Sequence, residues 1–172
     1  MCIIIIKQKE QSLPREVLES SARINPHGLG VLYLDTFKVE YHQSQDYKVL
    51  FTKRPFIAHF RLATIGKISK ENTHPFVCGV KTDELLFMNG TIESLGNKHK
   101  TDTQHLADNL GRISRHLWKT HLSQYTHRFV SANIRNKTFQ IYNRDLWVFR
   151  NGVWYSKDNV LEDNLVAVYG TL

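Results

Sequence analysis

The chain has 172 residues and a net charge of +7, with 23 Lys and Arg against 16 Asp and Glu. That length predicts one domain over residues 1–172, able to bury a core without staples. Only two cysteines, Cys2 and Cys78, are present, which excludes a disulfide framework and a cysteine-built metal cluster, and no apolar run approaches the ~18 residues of a membrane span.

In chain order, Ile3–Lys7 reads as a buried strand. Pro14 suits the first turn of a helix that Glu16, Val17, Leu18 and Ala22 carry on to about Arg23. Asn25-Pro26-His27-Gly28 predicts a turn, Gly30–Leu34 a strand and Thr36–Tyr41 its hairpin partner. Gln43–Leu50 is mostly polar and reads as helix or loop. Pro55–Thr64 is expected to be a strand running into a turn at Gly66, with a polar loop over Lys67–Thr73. Glu84–Met88 reads as a short strand ending at Asn89-Gly90. The strongest helical pattern is Thr103–Thr120, where Leu106, Leu110, Ile113 and Leu117 recur at helical spacing behind a cap at Thr101 or Asp102. Arg128–Ile134, Thr138–Tyr142, Leu146–Phe149, Val153–Tyr155 and Leu165–Val168 alternate like strands, with a hairpin turn at Asn151-Gly152. Strands at both ends with helices between predict an α+β protein.

The residue with most chemical content is Cys2, directly behind Met1. Removal of Met1 places a thiol of pKa ~8.5 and an α-amine of pKa ~8 on one residue, a nucleophile that carries its own base. Taken alone, Cys2 reads more simply as the first residue of a buried strand. Thiolate attack on an amide further needs a substrate clamp and donors for a tetrahedral oxyanion. Arg61, at a strand end, can hold a carboxylate through two hydrogen bonds or can be a surface strand residue. Asn89 and the Gly90 amide can form an oxyanion hole or an ordinary turn. Asp102 can accept a substrate ammonium or cap a helix. His74-Pro75 reads as a loop position, and His59 as a core histidine.

Taken in order, these blocks resemble the glutaminase domain of class II glutamine amidotransferases. The resemblance rests on Cys2, Asn25-Pro26-His27-Gly28-Leu29-Gly30, His59-x-Arg61-x-Ala63-Thr64-x-Gly66, Asn72-Thr73-His74-Pro75-Phe76, Asn89-Gly90 and Thr101-Asp102-Thr103, over roughly residues 2–110. The short chain is also similar to stand-alone amidotransferase-like proteins of bacteriophages. The resemblance implies a four-layer αββα sandwich of the N-terminal nucleophile type. It implies that Cys2 attacks the glutamine amide, that Asn89 and Gly90 stabilise the oxyanion, and that Arg61, Thr64 and His74 serve the α-carboxylate end. Asp102 would bind the α-ammonium. Arg61 and Asp102 would thus read opposite charges of one zwitterion, and the products would be glutamate and ammonia.

Three positions depart from the family pattern. Met88 stands where a His is common, Ile3 where Gly often follows the nucleophile, and His27 where an acidic residue is usual. None removes a group that the minimal mechanism needs. The partners implied are L-glutamine and a separate ammonia-accepting synthase, in the cytoplasm or, for a phage protein, the host cytoplasm; no cofactor, metal or membrane is expected. The basic residues are dispersed, so the +7 charge reads mainly as a solvated surface and lends nucleic-acid contact only weak support. Two other readings stay open: hydrolysis of another γ-glutamyl amide, and a catalytically silent fold used as a binding module.

Overall fold

The computed structural model describes residues 2–64, 67–79, 83–97, 100–159 and 161. β1 (Ile3–Lys7) is buried along its whole length, and its four isoleucines supply two faces at a period of two. Ile3 and Ile5 join one core cluster while Ile4 and Ile6 join another. β1 lies inside a six-stranded antiparallel sheet of order β3-β2-β4-β1-β10-β9, built with β2 (Leu29–Tyr33), β3 (Lys38–His42), β4 (Phe56–Phe60), β9 (Val148–Arg150) and β10 (Val153–Tyr155). A second antiparallel sheet orders β5 (Phe76–Val77), β6 (Glu84–Asn89), β7 (Arg128–Asn133) and β8 (Thr138–Tyr142) as β5-β6-β7-β8.

α1 (Arg15–Ile24) begins behind Pro14, which takes the capping position one residue before the helix. Glu16 in its first turn and Arg23 in its last suit the helix dipole. Val17, Leu18 and Ala22 pack onto Ile3, Ile5, Val31, Ala58 and Phe60 of the six-stranded sheet. The opposite face of that sheet, carrying Ile4, Ile6, Leu32 and Ile57, meets Leu85, Phe87, Val130 and Ala132 of the four-stranded sheet. The far face of the four-stranded sheet, with Leu86, Met88 and Phe129, is covered by Leu106, Ala107 and Leu110 of α2 (Asp102–Leu110) and by Trp118 and Leu122 of α3 (Trp118–Leu122). Each fully buried Ile, Leu or Phe contributes about 1.5–3 kcal/mol, so these three clusters dominate the stability.

Most expected elements form within a residue or two of their predicted ends. The Gln43–Leu50 segment is a short 3-10 helix over Ser44–Leu50. The largest correction concerns Thr103–Thr120, which is not one helix. α2 stops at Leu110, a 3-10 turn covers Arg115–Leu117, and α3 follows. Gly111 lies so close to the backbone of Gly79 that a Cβ would sit 2.4 Å from the Gly79 Cα. Ile113 and Leu117, which the helical spacing assigns to the core, are 37% and 46% exposed. A second correction is that β4 ends at Phe60 rather than Thr64. The Arg61 amide donates to the Gly28 carbonyl (2.8 Å) and the His27 amide to the Arg61 carbonyl (3.0 Å), so the chain is held by the 27–28 turn. The expected turn residue Gly66 and the expected strand Leu165–Val168 lie outside the described residues.

Candidate active site

Strand register brings Cys2 to its partners. Ile3 pairs with Phe60, so Cys2 meets the chain just past β4. The Leu62 amide donates to Cys2 Sγ at 3.3 Å, and Sγ lies 3.5 Å from the Leu62 carbonyl. Cys2 is 8% exposed. Burial pushes the thiol pKa up, while the Leu62 N–H and the Arg61 guanidinium act in the opposite direction.

A small cavity of about 20 Å3 opens at Cys2. Arg61, Thr64, His74, Gly90 and Asp102 line it together with Cys2, from five separate stretches of the chain. Larger clefts lie elsewhere. One of about 340 Å3 runs between His27, Tyr41, Asp46 and Lys70, and one of about 560 Å3 between Arg128, Trp147 and Lys157. Volume therefore does not mark the site; convergence of a thiol with side chains of opposite charge does.

Arg61 is nearly fully buried, and its Nη1 donates to the Lys67 carbonyl at 3.0 Å. Burial draws its pKa down, opposed by Cys2 and Asp102, whose charges both act on it. Asp102 begins α2, but Thr101 is the cap: its hydroxyl accepts from the Gln104 amide, and Gln104 returns the bond. This leaves Asp102 to reach sideways. Its Oδ2 accepts the Ile92 amide at 2.8 Å and its Oδ1 the Thr103 amide at 2.8 Å. A carboxylate has about four acceptor positions, so capacity for a further donor remains.

The segment bearing His74 is seated by two glycines of the Asn25–Gly30 block. Gly28 has φ +135, and a Cβ there would lie 2.7 Å from Thr73 Oγ1. At Gly30 a Cβ would fall 1.6 Å from the His74 carbonyl oxygen. The two sequence blocks are therefore halves of one contact. The Asn25–Gly28 turn is tied by Ser44, whose hydroxyl donates to the Asn25 carbonyl and accepts the Gly28 amide. His27 Nδ1 accepts the Ala63 amide at 2.9 Å, a bond that fixes the strand end beside Arg61. His74 stacks on His59 with ring centroids 3.9 Å apart. His59 Nε2 donates to the Met88 carbonyl (3.1 Å). Burial takes the His59 pKa down to about 3. Burial, then His59 and Arg61, holds that of His74 well below its ordinary value.

Gly90 has φ +155, and a Cβ there would lie 2.4 Å from the His127 ring. Thr91 beside it shares a hydrogen bond with Thr64 (3.1 Å), which lines the cavity. Met88 is buried in the core under α2 and also lines the cavity. Asn89 is placed differently from its expected companions. It does not line the cavity, and its Nδ2 donates to Ser156 Oγ at 2.8 Å and approaches the Ser156 carbonyl at 3.4 Å.

Sequence reasoning missed Ser156, the Leu62 amide and His127. Nothing in their local sequence sets them apart; only the register of β1 with β10, of β1 with β4 and of β6 with β7 brings them here. Among the described residues no group of three or more His, Cys, Asp or Glu is placed to hold a metal ion, and no helix is long and apolar enough to cross a membrane.

In comparison with known families, residues 43–113 fit the model of class-II glutamine amidotransferases. The matched stretch holds Arg61, Thr64, His74, Asn89, Gly90 and Asp102, but not Cys2, and spans less than half of the chain. Over that stretch the resemblance read from the sequence is shown. No curated protein matches the chain.

Proposed function

We propose that the chain hydrolyses the side-chain amide of L-glutamine through Cys2, giving glutamate and ammonia for a separate acceptor enzyme. The observation that carries this reading is the convergence of Arg61 and Asp102, opposite in charge, on the cavity that holds the Cys2 thiol. The order of α1, six-stranded sheet, four-stranded sheet and α2 with α3 supports the αββα expectation.

With Met1 removed, the Cys2 α-amine takes the thiol proton. The thiolate forms a bond to the amide carbon, and the oxyanion is met by the Gly90 amide and the Asn89 side chain. Collapse breaks the C–N bond, the α-amine passes its proton to the leaving ammonia, and a thioester remains. Water then adds its oxygen to the acyl carbon, and the sulfur leaves as the thiol. Arg61 holds the α-carboxylate, with Thr64 and His74 at that end, and Asp102 accepts from the α-ammonium. A cavity of about 20 Å3 holds about one water. Glutamine therefore enters as the 61–64 and 90–92 segments part, breaking the Thr64–Thr91 bond.

A second reading, a silent fold used as a binding module, is favoured by the engagement of Asn89 Nδ2 with Ser156 rather than with the cavity. Release of glutamate and ammonia by chain lacking Met1 separates the two. Equal amounts of both products, absent in Cys2→Ala, are expected for the hydrolase. The same rate in Cys2→Ala, or no release by the processed chain, overturns it.

A further inference from the structure

Ser156 lies outside every motif read from the sequence, yet it joins two of the site's strands. It is fully buried and follows β10, where it faces Ile4. Its amide donates to the Ile4 carbonyl at 2.9 Å. The return bond is unusual: the Ile4 amide donates to the Ser156 hydroxyl, at 2.7 Å. The same hydroxyl oxygen accepts Asn89 Nδ2 at 2.8 Å. One oxygen thus ties the strand that starts beside Cys2 to the strand that ends at Asn89, across the two sheets.

The balance of donors and acceptors at this junction is informative. A serine hydroxyl accepts two hydrogen bonds and donates one. Its two acceptor positions are filled by Ile4 and Asn89. Asn89 Oδ1, meanwhile, is buried without a partner. Turning the amide by half a revolution about its terminal torsion, which is broad and roughly two-fold, sets Oδ1 against the hydroxyl proton. That pairs Oδ1 and turns Nδ2 to the side that Oδ1 now occupies.

We infer that Ser156 is a positioning residue for Asn89. Its hydroxyl accepts from Nδ2 in the orientation seen here and donates to Oδ1 in the orientation that presents Nδ2 to an oxyanion. The inference rests on the proposed role of Asn89 in glutamine hydrolysis.

The test is steady-state hydrolysis of glutamine by full chain lacking Met1, with rates referred to the folded fraction. Wild type, Asn89→Ala, Ser156→Ala, Ser156→Thr and the double Ala variant are compared. Ser156→Ala should lower kcat by ~10²-fold, the loss a misplaced group produces, with KM within a few-fold. Ser156→Thr, which keeps the hydroxyl, should recover most of it. In the Asn89→Ala background, Ser156→Ala should cost less than about 3-fold more, because groups acting as a unit are not additive. Should Ser156→Ala unfold, Ser156→Cys, close in shape but a weak hydrogen-bonding group, is expected to show the same kcat loss. An unchanged kcat in the Ser156 variants while Asn89→Ala loses activity overturns the inference alone. So do losses that multiply in the double variant, which mean that Ser156 acts through the fold. A wild type without hydrolysis, or an Asn89→Ala with full kcat, overturns the role of Asn89 and the inference with it.

Discussion

At Gly30 the chain has no room for a methyl group, because the His74 carbonyl oxygen occupies the place a Cβ would take. The obstacle is backbone, so relief requires the 73–75 segment to move. Gly30→Ala should therefore cost about 1–3 kcal/mol and, by displacing His74, weaken glutamine binding. An unchanged urea midpoint would show that the segment yields freely. Arg61 makes a different contribution. In the proposed function it clamps the substrate carboxylate, and removing such a charge-assisted bond forfeits ~1.5–3 kcal/mol, so Arg61→Ala should raise KM for glutamine roughly 10- to 100-fold. An unaltered KM would place the carboxylate elsewhere. Residues of this kind were legible because their chemistry is rare: a second-position cysteine, an arginine at a strand end, an aspartate beside a helix cap. Ser156 was not legible, since its partners Ile4 and Asn89 lie 152 and 67 positions away. Asn89 was legible as a residue but not in its present hydrogen bond, which only the meeting of two sheets creates.

Among the elements, the break after Leu110 shows where periodicity misleads. Leu106 and Leu110 are buried, whereas Ile113 and Leu117 are exposed and Trp118 and Leu122 take their place in the core. The cause is the approach of Gly111 to Gly79, a contact that local sequence cannot reveal. The two effects of Gly111→Ala can be weighed. Helix propensity favours Ala by ~1 kcal/mol at most, while a Cβ 2.4 Å from the Gly79 Cα demands a backbone shift of about 1–3 kcal/mol. The substitution should destabilise; a raised Tm would mean that α2 can extend. The hairpin at Asn151-Gly152 was legible for the opposite reason. Both turn residues have positive φ, 51 and 80, and that demand is local.

For the molecule as a whole, the stacked pair His59 and His74 links stability to pH. Unfolded, each takes a proton near pH ~6.5. Folded, both stay neutral far below that, with His59 protonating only at about 3. The unfolded chain therefore binds more protons in this window. Stability is fully present above pH ~6.5 and falls as pH drops towards about 3, each histidine adding a slope of ~1.4 kcal/mol per pH unit. The urea midpoint should fall between pH 7 and 5, and His74→Phe should flatten the fall; a midpoint independent of pH in wild type would contradict this. The α+β class was legible from strands at both ends of the chain with helices between. The pairing order of the two sheets was not, because β10 joins β1 from the far end of the chain.

The proposed function stands on Cys2 as the nucleophile of a glutamine site. Its most direct test is intact mass and peptide mapping after incubation with diazo-oxo-norleucine, a reactive glutamine analogue. The prediction is a single adduct on Cys2 in chain that has lost Met1, with none on Cys78, whose thiol is fully buried and has its pKa raised by that burial. Processed chain that takes no label, or takes it at another residue, would rule Cys2 out as that nucleophile.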